Sequence, residues 1–251
     1  MGPKTERFSW KIRDGEIDIL LLTREDLDGA LDVIRKAFLV KENVVIGAEI
    51  NLPESAQARE DLIELCREVF TDGVSLIAKE VATGKVVSVA FNKIQVAGNP
   101  TDKPYFEDFI ERRCQSPNSK SLLNFMAEVD AAYDLFKNFQ VDCLLEIMFL
   151  ATLPQFEGLK IAQNLCKYSI ELARELSNGK GLDNVREDLR TKRIQGVSSI
   201  LTSRISQSVG KAVHLEPLVD YPYTRFSFNG KTYADRIGKM DPVCRLVGIK
   251  F

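Results

Sequence analysis

A glycine-containing turn between an apolar run and an amphipathic helix is the stretch of this chain best suited to binding an anion. Residues 144–153 are almost all apolar, which predicts a buried strand that Pro154 ends. From Ile161 onward apolar residues recur every three or four positions, which predicts one buried helix face. A strand, a tight turn at Gly158 and a helix N-terminus together aim unpaired backbone N–H groups at one point. The pattern predicts either an anion-binding turn or an ordinary structural unit of an α/β protein.

Other residue types restrict the chemistry. His214 is the only histidine, so a Ser-His-Asp or Cys-His hydrolase would depend on that one residue. The five cysteines have no paired spacing, and the sequence contains neither a CxxC motif nor a histidine cluster. We therefore expect buried, reduced cysteines and no bound metal.

Length and composition are typical of a globular chain. With 251 residues, of which 45% are hydrophobic, the chain can bury one substantial core. The formal net charge of -2 gives no reason to expect a nucleic-acid partner. Residues 1–6 lack the apolar segment of a signal peptide, and no apolar run approaches the ~20 residues that cross a membrane. These features predict a soluble, cytoplasmic protein with no membrane partner.

The elements that must position the turn follow from periodicity and breakers. We predict strands at 16–22, 74–81, 85–96, 144–153 and 196–201. We predict helices that start at Thr23 (as a cap), Pro53, Tyr105, Lys120, Ile161 and Ser203. Gly98–Pro100 breaks the third of these strands, and Asn229-Gly230 predicts a hairpin in a β-rich tail. Without repeats or linkers, this order predicts a single α/β domain over residues 1–251 around a mixed sheet.

The stretch 144–165 resembles motif A of the GCN5-related N-acetyltransferase (GNAT) superfamily. In that family a turn with the pattern Arg/Gln-x-x-Gly-x-Gly/Ala holds the pyrophosphate of acetyl-CoA, and the preceding strand pairs with the pantetheine arm. Here the signature positions fall on Glu157, Lys160 and Ala162, with Gly158 as an additional glycine. Only Ala162 fits the strict pattern; Glu157 adds a negative charge that Lys160 would offset, and the backbone amides would still supply most of the cradle.

The resemblance implies a GNAT-like sheet that is mostly antiparallel and flanked by helices, with acetyl-CoA as cosubstrate and no metal. The amides of residues 157–162 would face the pyrophosphate. The residues implied in cofactor binding are Leu150, Ala151, Thr152, Glu157, Gly158, Leu159, Lys160, Ile161 and Ala162.

Within the superfamily the chain is most similar to the insect arylalkylamine N-acetyltransferases and their agmatine- or polyamine-acetylating relatives. Residues 37–44 resemble that family's Phe-x-x-x-Glu-Pro-Leu, although Asn43 replaces the proline. Residues 201–206 resemble its serine-rich strand end, and 220–231 its C-terminal hairpin. Two additional helices precede the central strand, as in that family.

The same resemblance implies catalytic roles for three residues. Acetyl transfer needs a free lone pair, and because an alkyl ammonium has a pKa of about 10, a base must remove its proton. The family's base falls on Glu42, which as an arbitrary loop carboxylate would simply face solvent. Ser206, with Thr202 or Ser203 as companions, would protonate the leaving thiolate; a serine here is equally expected to cap a helix, and we assign the cap to Ser203. Tyr221 and Tyr223 are alternative acids or packing residues.

We therefore expect an N-acetyltransferase that joins acetyl-CoA and a small amine in a V-shaped gap beside the central strand, by direct transfer in a ternary complex. Glu42 and Glu49 would favour a cationic substrate. A protein or peptide N-acetyltransferase is one alternative. The other is a non-catalytic acyl-CoA-binding or interaction protein on a degenerate GNAT fold, which Glu157 and Lys160 favour. The charged stretch 183–193 is either a solvated segment or a contact for the 3′-phosphate of coenzyme A.

Overall fold

An eight-stranded sheet forms the centre of the molecule in the computed structural model, which describes residues 8–98 and 103–251. The strands of the chain are β1 (Ser9–Ile12), β2 (Ile17–Leu21), β3 (Leu76–Glu80), β4 (Val86–Val96), β5 (Cys143–Thr152), β6 (Gly196–Leu201), β7 (Glu216–Pro222), β8 (Ser227–Phe228), β9 (Lys231–Thr232) and β10 (Val243–Lys250). The sheet has the order β1-β2-β3-β4-β5-β6-β10-β7, and β8 and β9 form a separate hairpin. Among the described strands, β5 and β6 pair in parallel and the other neighbours are antiparallel. The predicted mixed, mostly antiparallel sheet is confirmed.

Helices cover both faces of this sheet. They are α1 (Leu27–Val33), α2 (Leu39–Lys41), α3 (Asn43–Gly47), α4 (Ala56–Phe70), α5 (Tyr105–Arg113), α6 (Pro117–Ala131), α7 (Leu135–Phe139), α8 (Ile161–Ser177), α9 (Arg204–Ala212) and α10 (Tyr233–Ile237). A π-helical turn, Ile34–Phe38, joins α1 to α2. The starts predicted for α5 and α8 are confirmed. The single helix predicted from Lys120 is two helices, because the chain turns before Asp134, which caps α7 with its side chain.

The predicted cap at Thr23 differs from the structure, and so does the predicted start of α4, which begins at Ala56 and not at Pro53. Thr23 does not cap the first helix, which begins at Leu27 without a side-chain cap; its hydroxyl lies 3.5 Å from Asp26. Neither β1 nor α10 is predicted by the sequence patterns. Both are short, and each depends on a partner distant in sequence: β1 pairs with β2, and Tyr233 at the start of α10 packs against Gly47.

The sheet separates two apolar cores. On one face α1, α4 and α6 bury residues such as Leu31, Leu62 and Phe125. On the other face α8 buries Leu165 and Ala173 against the strands. All five cysteines are buried and free, as predicted.

The centre of the sheet is irregular at β5. Phe149 pairs with Phe91 of β4 and Ile147 pairs with Asn92, so Met148 is an extra residue, a β-bulge that bends the strand. The ladder between β5 and β6 consists of Leu145–Val197 and Glu146–Ser198. Because a ten-residue strand shares so short a ladder with its parallel neighbour, the two strands separate toward their C-terminal ends. We call the space between them the gap.

Some of the sequence predictions concern residues outside the described ranges. These are the N-terminal residues 1–6, considered as a targeting signal, and Asn99 and Pro100 in the predicted strand break. Within residues 8–98 and 103–251, no helix combines the length and apolar character needed to cross a membrane.

Candidate active site

The turn between β5 and α8 exposes backbone N–H groups. A short 3-10 turn, Pro154–Phe156, follows β5, and then Gly158 and Lys160 take left-handed conformations with φ of 74° and 59°. Glycine adopts this conformation freely, whereas in lysine it is strained, as is frequent at binding sites. Lys160 is the N-cap residue of α8 and gives no side-chain cap, so the first N–H groups of α8 are left for water or a ligand. A Cβ at Gly158 would meet no heavy atom within 4 Å, so the turn is open above its backbone.

These residues fit a diphosphate, with one acidic exception. Helix dipole and N–H groups favour an anion at the start of α8. The carboxylate of Glu157 opposes it, but Glu157 is paired with Lys41 at the end of α2. Lys41, and not Lys160, forms the ion pair with Glu157, while Lys160 is exposed beside the turn.

The predicted pantetheine contacts Leu150, Ala151 and Thr152 lie on β5 where it borders the gap. In an antiparallel ladder alternate backbone groups point to each side, so those that face β4 are paired and those that face the gap remain for another partner. The hydroxyl of Ser88 donates to the Ala151 carbonyl at 2.7 Å, which holds this part of β5 to β4. A ligand in the gap would therefore meet a strand whose opposite edge is fixed.

Glu42 occupies the junction between α2 and α3. It is in an extended conformation, and its Oε2 atom accepts a hydrogen bond of 2.7 Å from the N–H of Val45, which caps α3. Its Oε1 atom is buried without a hydrogen-bond partner among the described residues, although the residue as a whole is half-buried. Burial raises the pKa of Glu42; the N–H groups of the cap oppose that shift, as does the nearby Thr202 hydroxyl, although it makes no hydrogen bond of good geometry with the carboxylate.

The end of β6 lies next to Glu42. The carbonyl oxygen of Thr202 accepts a hydrogen bond from the Asn43 side chain (2.7 Å) and another from the Tyr223 hydroxyl (2.6 Å). The loop that carries Glu42 is thus attached both to the turn after β5, through Lys41, and to the end of β6, through Asn43. It bridges the two sides of the gap.

Both tyrosines proposed as acids are buried and already donate hydrogen bonds. Tyr223 is fully buried, and burial raises its pKa. Tyr221 donates to Glu128 on α6, and its burial, helped by that carboxylate, raises the pKa of Tyr221 to about 12. As the catalytic acid, Tyr221 would first have to leave Glu128.

Ser203 and Ser206 form a capping box at the start of α9. The Ser203 hydroxyl accepts from the N–H of Ser206 (3.1 Å), and the Ser206 hydroxyl accepts from the N–H of Ser203 (3.0 Å). The prediction that Ser203 is the cap is confirmed. The Ser206 hydroxyl also donates to the Ser203 carbonyl at 2.9 Å, so as a catalytic acid it would exchange a cap contact for the thiolate.

Two other charged groups predicted to contact a substrate or cofactor, Glu49 and the stretch 183–193, have protein partners in the structure. Glu49 forms an ion pair with Arg236 (2.8 Å) and accepts a hydrogen bond from Asn229, so Arg236 balances the charge that was expected to favour a cationic amine. The stretch 183–193 follows the C-terminal end of α8. The N–H of Gln195, just after this stretch, donates to the carbonyl of Cys143 at the start of β5, whereas the turn at 157–162 follows the end of that ten-residue strand. The stretch therefore ends at the opposite end of β5 from the turn, which does not favour the predicted contact with the 3′-phosphate. It is a structural segment, in which Arg186 pairs with the buried Asp72.

Lys41 is a residue of this site that sequence reasoning missed. Its contact with Glu157 joins residues 116 positions apart, and neither carries a local signal of the other. Its position next to Glu42 placed its backbone in the same part of the molecule, but adjacent side chains point in different directions, so the contact with Glu157 could not be predicted.

Comparison with known proteins places the fold. No family model and no curated protein matches the sequence. Among solved structures, arylalkylamine N-acetyltransferase 2 from Aedes aegypti matches with a TM-score of 0.73 at 20% identity, over 93% of this chain and 98% of that chain. An agmatine N-acetyltransferase matches with a TM-score of 0.71 at 15% identity, over 94% and 100%. Drosophila melanogaster polyamine N-acetyltransferase, which forms N-acetylagmatine, matches with a TM-score of 0.70 at 15% identity, also over 94% and 100%.

The chain therefore has the GNAT fold, as the sequence resemblance implied. More narrowly, the solved structures that it matches over nearly their whole length include arylalkylamine, agmatine and polyamine N-acetyltransferases. At these identities the likeness establishes the fold.

Proposed function

We propose that this protein is an acetyl-CoA-dependent N-acetyltransferase that acts on small amines by direct transfer in a ternary complex. The observation that carries the proposal is Oε1 of Glu42, a buried carboxylate oxygen without a partner beside the end of β6. A buried polar atom left unpaired is unfavourable unless water or a ligand satisfies it. A protonated amine in the gap would supply the missing donor.

In the proposed reaction Glu42 takes a proton from the substrate ammonium, directly or through one water molecule. The raised pKa of Glu42 makes its carboxylate a stronger base than an exposed glutamate. The nitrogen lone pair then attacks the thioester carbonyl carbon and the C–N bond forms; the C–S bond breaks with its electron pair on sulfur, and the nitrogen releases its second proton, which replaces the one that the thiolate takes from its acid. Ser206 or Tyr221 would give the thiolate its proton.

The cosubstrate would be held by the chain's backbone. The N–H groups of residues 157–162 would bind the diphosphate, and the edge of β5 at Leu150–Thr152 would pair with the pantetheine arm. The names of the matched structures support arylalkylamines, agmatine and polyamines as substrate classes. A cationic amine also fits a site in which Glu42 is the buried carboxylate at the gap.

Calorimetric titration with acetyl-CoA tests the first half of the proposal, and thiol release with tryptamine, agmatine and spermidine tests the second. We expect binding, and turnover with at least one amine. Absence of binding at near-millimolar acetyl-CoA would favour the non-catalytic interaction protein. Binding without turnover of any small amine would direct attention to peptide acceptors.

Glu42→Gln tests the base. The variant keeps an oxygen for the Val45 N–H but cannot accept the substrate proton, so we expect kcat/KM to fall by roughly 10²–10⁴ while acetyl-CoA affinity stays unchanged. The rise of activity with pH should move toward the ionisation of the amine itself. The matched control is the exposed Glu54→Gln, which should behave as wild type. A Glu42→Gln enzyme with the wild-type rate and pH profile would remove Glu42 as the base.

A further inference from the structure

The contact between Lys41 and Glu157 connects the two halves of the proposed site. Lys41 ends α2 and directly precedes Glu42, on the amine side. Glu157 begins the turn that exposes the N–H groups of α8, on the cofactor side. The ion pair shows that the Lys41 ammonium reaches this turn.

This ion pair is easily exchanged. The side chains of Lys41 and Glu157 are 52% and 47% exposed, and ion pairs between such exposed side chains contribute little to stability. A diphosphate at the start of α8 would carry two negative charges and more acceptor oxygens than a carboxylate. An ammonium bonds more strongly to such a group, whereas the carboxylate of Glu157 would be repelled by it.

We propose that Lys41 is a ligand of the cofactor's diphosphate, and that it changes partner from Glu157 to the diphosphate when the cofactor binds. The inference rests on the proposed function, because it takes coenzyme A as the ligand of the turn. In the free protein Lys41 pairs with Glu157, and in the complex it would pair with the diphosphate. Glu157 therefore competes with the cofactor, and Lys41 does more than neutralise an unfavourable charge.

A double-mutant cycle measured by calorimetric titration with coenzyme A separates these two roles. The four proteins are the wild type, Lys41→Met, Glu157→Gln and the double variant. If Lys41 binds the diphosphate, Lys41→Met weakens binding about tenfold or more even when residue 157 is uncharged, since a bond to a charged group is lost. Glu157→Gln alone tightens binding, because a competing carboxylate is removed. Both side chains are half-exposed, so all four proteins should unfold at similar temperatures.

Two controls locate the effect. Lys36→Met removes another exposed lysine from the same helical segment, where Lys36 pairs with Asp32, and should leave affinity unchanged. Dephospho-coenzyme A lacks the 3′-phosphate but keeps the diphosphate. Lys41→Met should weaken its binding by the same factor as for coenzyme A.

Three results would overturn the inference. If Lys41→Met weakens binding in the wild type but has no effect in Glu157→Gln, Lys41 only neutralises Glu157. If the effect of Lys41→Met disappears with dephospho-coenzyme A, Lys41 contacts the 3′-phosphate instead. If the wild type binds no coenzyme A, the proposed function fails together with this inference. The first two results overturn only the inference and leave the proposed function standing.

Discussion

Glu42 combines two roles that place opposite demands on its carboxylate. One oxygen caps α3 through the Val45 N–H, and the other is buried without a partner. Capping stabilises the charged form, and burial destabilises it. Since burial is the larger influence, the pKa of Glu42 in the folded protein lies above its value in the unfolded chain.

This shift predicts a pH-dependent difference in stability between the wild type and Glu42→Gln. The raised pKa means that the folded state binds the Glu42 proton more tightly than the unfolded chain does. The associated stability is present below the pKa of an ordinary glutamate and is lost as pH rises through the folded value. We expect Glu42→Gln to gain stability relative to the wild type as the pH rises from about 4, the ordinary pKa of a glutamate, toward neutral pH. Urea unfolding of both proteins at several pH values measures the difference.

The surroundings of Glu42 make this measurement selective. Burial raises the pKa values of Tyr223, Tyr233 and Cys244 nearby, so these groups stay neutral throughout that pH range. As a control, Glu42→Ala loses the cap as well, which costs about 0.5–2 kcal/mol at every pH. A difference between wild type and Glu42→Gln that does not vary with pH would contradict the burial of the charge.

At the scale of residues, the sequence predicted those contacts that join residues close together in the chain. Ser203 could be assigned as the cap of α9, because a capping box involves positions three apart. Glu42 could be placed at the end of a helix, since the apolar period fades there. The Lys41–Glu157 pair, the balance of Glu49 by Arg236 and the hydrogen bond from Tyr221 to Glu128 all join distant segments. Their charges are visible in the sequence, but their partners are set by the fold.

At the scale of elements, Asp72 ties three segments together behind the sheet. Its fully buried carboxylate lies 3.2 Å from Lys93 Nζ and 3.0 Å from Arg186 Nη1, and it accepts from the N–H of Ile94. The Arg186 contact is an ion pair without hydrogen-bond geometry, since Oδ1 has no hydrogen-bond partner. The Asp72 carboxylate, in the turn after α4, therefore contacts both strand β4 and the segment after α8.

Asp72→Ala should lower the free energy of unfolding by about 3–5 kcal/mol, because it leaves the buried Lys93 without its partner. Chemical denaturation measures this loss. Arg186→Gln is the matched control: Arg186 is 40% exposed, and its loss leaves the Asp72–Lys93 pair intact, so we expect a much smaller effect. Equal losses for the two variants would show that the buried pair with Lys93 is not the main contribution.

Helix α3 packs so closely on α10 that Gly47 has no room for a side chain. A Cβ at Gly47 would lie 2.4 Å from a ring atom of Tyr233, which is fully buried and hydrogen-bonded to Ser121. We expect Gly47→Ala to cost about 1–3 kcal/mol of stability through overpacking. Because α3 is the helix that Glu42 caps, kcat should fall, while coenzyme A affinity is retained.

Gly29→Ala is the control for that experiment. It also lies in a helix, and its Cβ would approach only a Val86 methyl group at 3.1 Å, which side-chain adjustment relieves. The gain in helix propensity of about 1 kcal/mol should offset this contact. If the two alanine variants lose stability equally, the Gly47–Tyr233 contact is not the cause.

Strongly periodic elements were predictable, and elements that depend on tertiary contacts were not. Helix α8 has a continuous apolar face and a clear start, so its first residue was identified. Helix α10 has five residues and is held by a capping box and by the fit of Tyr233 against Gly47. Such a short helix is not stable alone, and its sequence carries little signal.

At the scale of the whole molecule, the two cores share one sheet. In β4, Val89 and Phe91 belong to one core, while Val87 and Ala90 belong to the other. The order of elements predicted the sheet and its flanking helices. The separation of β5 and β6 followed only from the family resemblance, because the bulge at Met148 depends on the register with β4. Hydrophobicity along β5 alone does not encode that register.

We propose that residues 1–251 form a single domain that unfolds as one unit, since neither core can lose its side of β4 without exposing the other. The only tryptophan, Trp10, stacks on Tyr168 at 4.6 Å and reports on the face covered by α8. Far-UV circular dichroism reports on helices of both faces. In urea the two signals should change together. Helices α5–α7 unfolding first would instead lower the circular dichroism signal before the fluorescence changes.

A core variant on the opposite face makes this prediction decisive. Phe125 lies in the core on the face away from α8, is fully buried and packs among Tyr221, Tyr223 and Tyr233. Phe125→Ala should cost about 3–5 kcal/mol through lost burial and a cavity. If the chain is one cooperative unit, this change shifts the Trp10 transition as far as the circular dichroism transition, although Trp10 is on the other side of the sheet. A Trp10 transition that stays at the wild-type urea concentration would divide the molecule into two independently stable halves.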